Sequence, residues 1–541
     1  MNVTRQTDTD RVIVVGAGMG GLVAALELAA RGFDVLVLER ALQPGGKMRQ
    51  IAIGGAMLDA GPTVFTMRWV FDALFDAVGL HLDDHLRLEP VELLARHAWG
   101  PDARLDLHAD RARSAAAIGD FAGAAAARGY LQFCARAGAI YRTLEAPFLR
   151  GSRPTPFSLA ARVGLRGLPG LMQISPFATL WSELGRHFND ERLRQLFGRY
   201  ATYCGASPFL APATLMLVAH VEQEGVWLVD GGMHRVAQVL ARLACERGAR
   251  LRYGTAVQRI LTRHGHACGV RLEDGEELHA DAVVFNGDVA ALHAGLLDAD
   301  TRATAPVGRA GRSLSALTWN LLAPTHGFPL ARHSVFFSDN SAREFDDLFG
   351  AARLPQEPTV YVCAQDRDGK VDDPHLGECG AAERLLLIVN APAVGDQRAF
   401  TLQELQRCET RTFQRLAQCG LQVDRSAERT VLTTPQDFER LFSATGGALY
   451  GQAPHGWAAS FKRPGARSRL KGLYLAGGSV HPGPGVPMAA LSGRQAAASV
   501  LADRPSARGK QSPPRPSTAQ SRPVDTLGGT STRSATTASR R

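Results

Sequence analysis

The sequence predicts an α/β fold built on a parallel sheet, and three stretches near the amino terminus carry that reading. Val12 to Val15 is a short β-branched run that stops at glycines 16, 18, 20 and 21. A small-residue helical pattern follows, carrying Leu22, Ala25, Leu26, Leu28 and Ala29. After Gly32 a second apolar run, Val35 to Leu38, ends in Glu39. Strand, tight turn, helix and second strand in so short a space make one βαβ unit.

Each part suits the binding of an adenine dinucleotide. Gly16 permits the sharp turn, Gly18 lets the backbone approach a pyrophosphate, and Gly21 lets the helix pack closely on the strand. Gly20 belongs to the same set. The helix N-terminus offers unpaired N–H groups and the positive end of its dipole to phosphates. Glu39 comes 18 residues after Gly21, at the tip of the second strand, where its carboxylate can accept hydrogen bonds from ribose hydroxyls. Arg40 is carried with it as a candidate contact.

Composition bounds the rest. At 541 residues two or three domains are expected, and 45% hydrophobic with 21% charged residues describes a globular, water-compatible chain. The net charge of +9 is concentrated from Arg504 onward, where eight basic residues meet one acid, leaving only +2 for the remainder. Nucleic acid is therefore not the expected partner. Eight scattered cysteines without a CxxC pair argue against a disulfide framework or a structural zinc, and suit a reduced cytoplasmic setting. The polar start MNVTRQTDTD is not read as a signal peptide, and every apolar run is too short to span a bilayer.

Further along, Gln43 to Arg49 reads QPGGKMR: Gly45 and Gly46 allow a second close backbone approach, and Lys47 or Arg49 can offer charge to a phosphate. Leu58 to Thr63 forms a turn containing Gly61, Pro62 and Thr63, before a helical pattern from Val70 to Val78. Such a second line of contacts fits FAD, whose pyrophosphate and ribityl chain reach beyond one mononucleotide site.

The stretch VIVVGAGMGGLVAALELAARGFDVLVLERALQPGGK resembles the extended amino-terminal FAD signature of the amine-oxidase and carotenoid-desaturase flavoproteins. Gly472 to Ala496, GLYLAGGSVHPGPGVPMAALSGRQA, resembles the closing FAD motif of bacterial carotenoid desaturases, with Gly478 where many relatives carry aspartate. Leu473 to Leu475 reads as a strand bringing Gly477 and Gly478 under the cofactor. Pro484 to Pro487 lead into a helix from Met488, so Val486, Pro487 and Met488 are candidate contacts at the flavin edge. His481 is either a proton acceptor or a residue that shapes this loop.

The resemblance implies a Rossmann-like FAD-binding domain in a two-domain fold shared with amine oxidases and guanine-nucleotide dissociation inhibitors, with a mixed-sheet substrate domain and a helical cap. It places a backbone contact to adenine at Val257. A helix from Val236 to Arg247, a strand pair from Leu251 to Ile260 and a returning strand from Asp281 to Gly287 complete the middle FAD segment. The expected division is 11–100, 226–295 and 440–502 for FAD, 101–225 for the cap, 296–439 for the substrate sheet and 503–541 for a disordered basic tail.

Pro147 to His187 mixes Arg150, Arg153, Arg162 and Arg166 with Phe148, Phe157, Leu165, Leu168, Leu171, Met172 and Trp181. It is either a surface for an anionic membrane or a cap helix pair with solvated arginines. Ser313 to Leu322, Thr359 to Ala364 and Arg384 to Asn390 are strand-like and would roof an apolar tunnel. Trp319, Phe336, Phe337 and Tyr361 are candidates to line it.

Strings from Asp59 (DAGPTVFTMRWVFDALFDAVG), His333 (HSVFFSDNSAREFDDLF) and Thr359 (TVYVCAQDRD) resemble the carotenoid-desaturase branch that acts on 1-hydroxylated acyclic carotenoids. That resemblance implies introduction of the 3,4 double bond by hydride transfer to flavin N5 and proton loss. Quinone or oxygen would be the electron acceptor, and the protein would be cytoplasmic and peripherally membrane-associated. Asp59, Arg68 and His234 are candidate partners for the substrate hydroxyl. No catalytic base is assigned, and no metal-ligand spacing is found. Phytoene desaturase, flavin amine oxidase and a flavin-free prenyl-lipid carrier share the frame as alternatives.

Overall fold

The structure, a computed structural model, describes residues 10–163, 177–302, 311–369 and 381–505. At its base, β1 (Arg11–Val15) leads into α1 (Met19–Ala29) and β2 (Asp34–Leu38). After α2 (His234–Glu246), β3 (Arg250–Arg252), β4 (Ala282–Phe285) and β5 (Leu473–Leu475) complete a five-stranded sheet in the order β3-β2-β1-β4-β5. Every pairing in it is parallel. Such strands are covered on both faces, which is why they read as continuous apolar runs.

The two faces meet different neighbours. Val12, Val14, Val35, Val37 and Val284 pack on α1, α2 and the last helix, α3 (Val486–Asp503). Ile13, Leu36, Leu38, Val283 and Phe285 pack on a three-stranded meander formed by Val257–Arg263, His266–Leu272 and Glu277–His279. The expected strand pair from Leu251 to Ile260 is therefore two strands of separate sheets. Gly254, at φ +62°, turns the chain between them, held by its N–H on the Ala41 carbonyl.

α1 is buried along its whole length, including Glu27. That carboxylate is 4% exposed and accepts from Arg494 Nε of α3 at 2.7 Å. The two helices approach so closely that a Cβ on Gly493 would stand 2.3 Å from the Gly20 carbonyl oxygen. Glu27, which breaks the apolar pattern of the sequence, is thus the polar clasp of a small-residue helix pair.

Above the base lies a seven-stranded mixed sheet. In spatial order it runs Thr430–Thr433, Ser315–Ala323, Glu383–Ala391, Val360–Ala364, His333–Phe336, Leu93–Ala98, Arg104–His108. The only parallel pairing in it joins His333–Phe336 to Leu93–Ala98. The expected boundary at residue 100 falls between two of these strands, because alternating apolar residues from Leu93 to Leu107 find their burial on this sheet. One face, with Leu317, Trp319, Leu321, Phe336, Val362, Leu387 and Val389, packs under the helix Leu402–Gln418. Trp319 and Phe336 are consequently core residues of that far face and not tunnel residues. Helices Ala124–Leu144, Glu191–Gly198 and Leu217–Glu224 form the cap.

Among the described residues the cysteines are free thiols, no cluster could hold a metal ion, and no helix is long and apolar enough to cross a membrane. Leu165, Arg166, Leu168, Leu171 and Met172 of the basic-apolar stretch lie outside the described residues, as does the tail beyond 505.

Candidate active site

One cavity of about 1110 Å³ runs from the glycine turns of the parallel sheet to the free face of the seven-stranded sheet. Its base joins three segments around Asn286, the first polar residue after β4. Asn286 Nδ2 donates to the Gly16 carbonyl at 3.1 Å. A Cβ on Gly18 would stand 2.9 Å from that nitrogen, and one on Gly20 would stand 2.7 Å from both Asn286 Oδ1 and the Gly477 nitrogen. Gly45 bridges to Gly18, its N–H on the Ala17 carbonyl at 2.8 Å. The lining here is backbone by necessity, and backbone N–H groups are what a pyrophosphate needs.

Gly16, Gly18, Gly20, Glu39, Arg40, Gly45, Gly46, Lys47, Gly61, Pro62, Thr63, Val257, Gly477, Gly478, Val486, Pro487 and Met488 all line this cavity. Gly21 does not. Its Cα faces the Gly16 carbonyl, so its part is packing rather than cofactor contact. Glu39 accepts from the N–H groups of Ala17 at 2.7 Å and Ala41 at 2.8 Å, which fixes its carboxylate at the mouth of the first turn. Thr255 N–H on the Glu39 carbonyl ties the 255–257 segment to the same place and brings Val257 into the lining. Arg40 is directed elsewhere in part, its Nη2 donating to the carbonyls of Arg440 and Leu441.

A half-buried lysine and a buried arginine complete the base. Lys47 Nζ donates to the Leu449 carbonyl at 2.6 Å, and burial pushes its ammonium down from the ordinary range. Arg463 donates to the carbonyls of Gly478, Tyr450 and Gln452, clamping the 477–479 turn. Neither Asn286 nor Arg463 was legible as a site residue. The polar end of an apolar strand was the one signal for Asn286, and Arg463 had none.

These residues fit FAD. A side-chain-free cradle, the amino ends of α1 and α3, the Glu39 carboxylate and the Gly61–Thr63 turn would hold its dinucleotide and ribityl parts.

The upper half of the cavity is walled by Ala316, Thr318, Leu386, Ile388, Asn390, Thr359, Tyr361, His333 and Phe337 from the sheet. Phe337 and Tyr361 are thus tunnel residues. Tyr361 OH lies 2.7 Å from Thr63 Oγ1 and 2.8 Å from His333 Nδ1. On the opposite wall Arg199 Nη1 donates to Tyr203 OH at 2.9 Å. Tyr200 OH and Tyr203 OH donate to the Glu222 carboxylate at 2.6 and 3.4 Å. Burial raises the Glu222 carboxyl above its ordinary range.

The three proposed hydroxyl partners are not in this lining. Asp59 accepts from the N–H groups of Met233 and His234, capping the start of α2. His234 Nε2 contacts the Pro44 carbonyl at 2.8 Å, and Arg68 pairs with Asp83 and Asp72. His481 lies outside the lining too, with Nε2 between the carbonyls of Phe148 and Gly151 at 2.9 and 3.1 Å. It shapes the loop, as one of its two readings expected.

The mouth carries exposed aromatic rings: Phe177 is 78% exposed, Trp457 47%, and both line the cavity. The nearby arginines are not free. Arg153 donates to the Phe461 carbonyl, Arg162 to those of Pro147 and Ser152, and Arg150 pairs with Glu145 while lying 3.6 Å from the Trp69 ring centre.

Three buried imidazoles give a pH prediction. Burial, then the charges of Arg332 and Arg199, hold His333 down to about 3. Burial and Arg199 hold His97 at about 3, and burial holds His481 at about 4 against its carbonyl partners. Each stays neutral in the fold while the unfolded chain protonates at about 6.5. The stability they allow is complete above pH 6.5 and is lost as pH falls from there toward 4 and 3. Between pH 6.5 and 5 the unfolding free energy should drop by about 1 kcal/mol per pH unit for each histidine. Denaturant titrations at pH 7, 6 and 5 test this, and a flat profile refutes it.

The family model for flavin containing amine oxidoreductases matches residues 19–501. The chain belongs to that family. As a flavin containing amine oxidoreductase it uses FAD. It is 57% identical to the hydroxyneurosporene desaturase of Rubrivivax gelatinosus, with 98% of each chain covered. It is 47% identical to the hydroxyneurosporene desaturase of Cereibacter sphaeroides, over 91% of this chain and 98% of that one. Among solved structures, cyclohexylamine oxidase from Brevibacterium oxydans superposes with a TM-score of 0.52 at 17% identity, covering 92% of this flavoprotein and 99% of the oxidase. That likeness speaks for the fold.

Proposed function

We propose that the protein is an FAD-dependent carotenoid desaturase that introduces the 3,4 double bond into acyclic 1-hydroxycarotenoids, within carotenoid biosynthesis. The observation that carries the reading is one continuous cavity joining the FAD cradle to a largely apolar chamber, in a chain so similar to two hydroxyneurosporene desaturases. A flavin amine oxidase would need a cage for a cation, and this chamber already holds the cation of Arg199.

FAD, when bound, supplies the two-electron oxidant that takes a hydride from the substrate. The chain supplies orientation and dryness. Phe337, Ile388, Leu386 and Tyr361 would hold the polyene against the sheet face, and Thr63 would set the saturated bond beside the cofactor turn. Loss of a proton from the neighbouring carbon completes the double bond, and quinone or oxygen takes up the electrons. The exposed rings of Phe177 and Trp457 at the mouth support peripheral membrane contact, through which a lipid-soluble substrate would enter.

The test is a liposome assay with flavin-loaded protein, supplying 1-hydroxyneurosporene and phytoene separately. The expected result is a product absorbing at longer wavelength from the hydroxylated substrate. Conversion of phytoene alone would overturn the 3,4-desaturase reading. Purified protein without a flavin absorption band would favour a carrier.

A further inference from the structure

Arg199 is a cation that the fold leaves underused. It opens the short helical segment Arg199–Cys204 and lines the chamber on the wall facing the sheet. A guanidinium has five N–H donors. Among the described residues its guanidinium donates to Tyr203 OH alone, and no described carboxylate lies within 4.0 Å of it. The rings of Tyr203 and Tyr361 stand 5.0 and 5.3 Å away, giving cation–π contact. Glu222, whose charge reaches it, is already occupied by two tyrosine hydroxyls. Arg199 is half-buried in the cavity lining, and its remaining donors have no described protein partner.

Its position says which ligand atom would use them. Arg199 stacks on Tyr361, and Tyr361 OH touches Thr63 Oγ1 of the Gly61–Thr63 turn that would adjoin the flavin. In a 1-hydroxycarotenoid the hydroxyl-bearing carbon is two bonds from C-3. An anchor for that oxygen must therefore stand beside the reacting bond and not at the remote end of the polyene. Of the polar groups that share the lining with it, Glu222 is taken by two tyrosine hydroxyls and Tyr361 OH by Thr63 and His333.

We infer that Arg199, steadied by Tyr203, donates a hydrogen bond to the terminal hydroxyl oxygen of the substrate and thereby sets the preference for hydroxylated over plain acyclic carotenoids. The inference rests on the desaturase reading above.

The experiment compares flavin-loaded wild type, Arg199→Met and Tyr203→Phe in liposomes containing either 1-hydroxyneurosporene or neurosporene. In wild type, kcat/KM should favour the hydroxylated substrate. Arg199→Met should lower kcat/KM for that substrate at least about tenfold more than for neurosporene, the order of one charge-assisted hydrogen bond. Tyr203→Phe should move the ratio the same way by less. A merely structural arginine would lower both rates together, so an unchanged ratio overturns the anchor while leaving the desaturase reading intact. If Arg199→Met does not retain FAD, the ratio for Tyr203→Phe decides. Wild type that holds FAD yet leaves 1-hydroxyneurosporene untouched overturns the desaturase reading, and the anchor with it.

Discussion

Gly21→Ala should yield protein that no longer retains FAD. An alanine in a helix is ordinarily better than glycine by about 1 kcal/mol, so propensity alone argues for a gain. Sterics decide otherwise. The new Cβ would stand 2.1 Å from the Gly16 carbonyl oxygen and 3.0 Å from Asn286 Nδ2. Neither neighbour can yield cheaply, because Gly16 is the turn itself, at φ +98°, and Asn286 holds that turn. The helix must lift from the strand, and the N–H groups that would meet the pyrophosphate move with it. Overpacking of this kind costs about 1–3 kcal/mol before any lost cofactor contact. The contrasting position is Gly119 in the helix Arg111–Ala122, where a Cβ meets only the Ala127 methyl at 3.5 Å. Gly119→Ala should keep its flavin and melt no lower than wild type. The ratio of flavin to protein absorbance after gel filtration reads both, and full occupancy in Gly21→Ala would refute the packing argument.

Arg367→Met should destabilise the seven-stranded sheet by about 3–5 kcal/mol. Arg367 and Glu383 are 4% and 5% exposed, and the guanidinium Nε and Nη2 reach the carboxylate at 2.9 Å each. Thr325 Oγ1 donates to the same carboxylate at 2.6 Å, and Arg367 Nη1 also holds the Leu330 carbonyl. Removing the arginine strands a charge in a dry place, which is worse than never having had the pair. At about 4 kcal/mol, a chain of this size melting as one unit would lose roughly 4 °C. The double variant Arg367→Met with Glu383→Leu should recover most of the loss, since an apolar pair has no charge to desolvate. A double variant no more stable than the single one would show that something other than the stranded carboxylate sets the cost.

What could be read from the chain beforehand follows the range of the interactions. β1, α1 and β2 were legible because turn, helix and acidic tip lie within a few dozen residues and each rule acts locally. Strands such as Ser315–Ala323 were legible as strands from their composition. Alternation says that such a strand has two faces, but not which face meets a helix and which a cavity. That is why Trp319 and Phe336 fell on the core side while Tyr361 and Phe337 reached the chamber. Asp59 looked like a free carboxylate in a loop, and besides the nearby Gln50 its partners are the N–H groups of Met233 and His234, more than 170 residues away. Arg463 and Arg199 stayed hidden for the same reason. A lone arginine announces itself only when distant segments close around it.

The clasp between Glu27 and Arg494 has a consequence for how the chain is made. α3 follows α1 by more than 450 residues of chain. At translation rates of about 5–20 residues per second, α1 waits roughly 20 to 90 s for its partner. Through that interval a helix of small apolar residues carries an unmatched carboxylate, and the nucleotide cradle lacks its third side. The segments that line the base of the cavity are therefore all present only once α3 has been made.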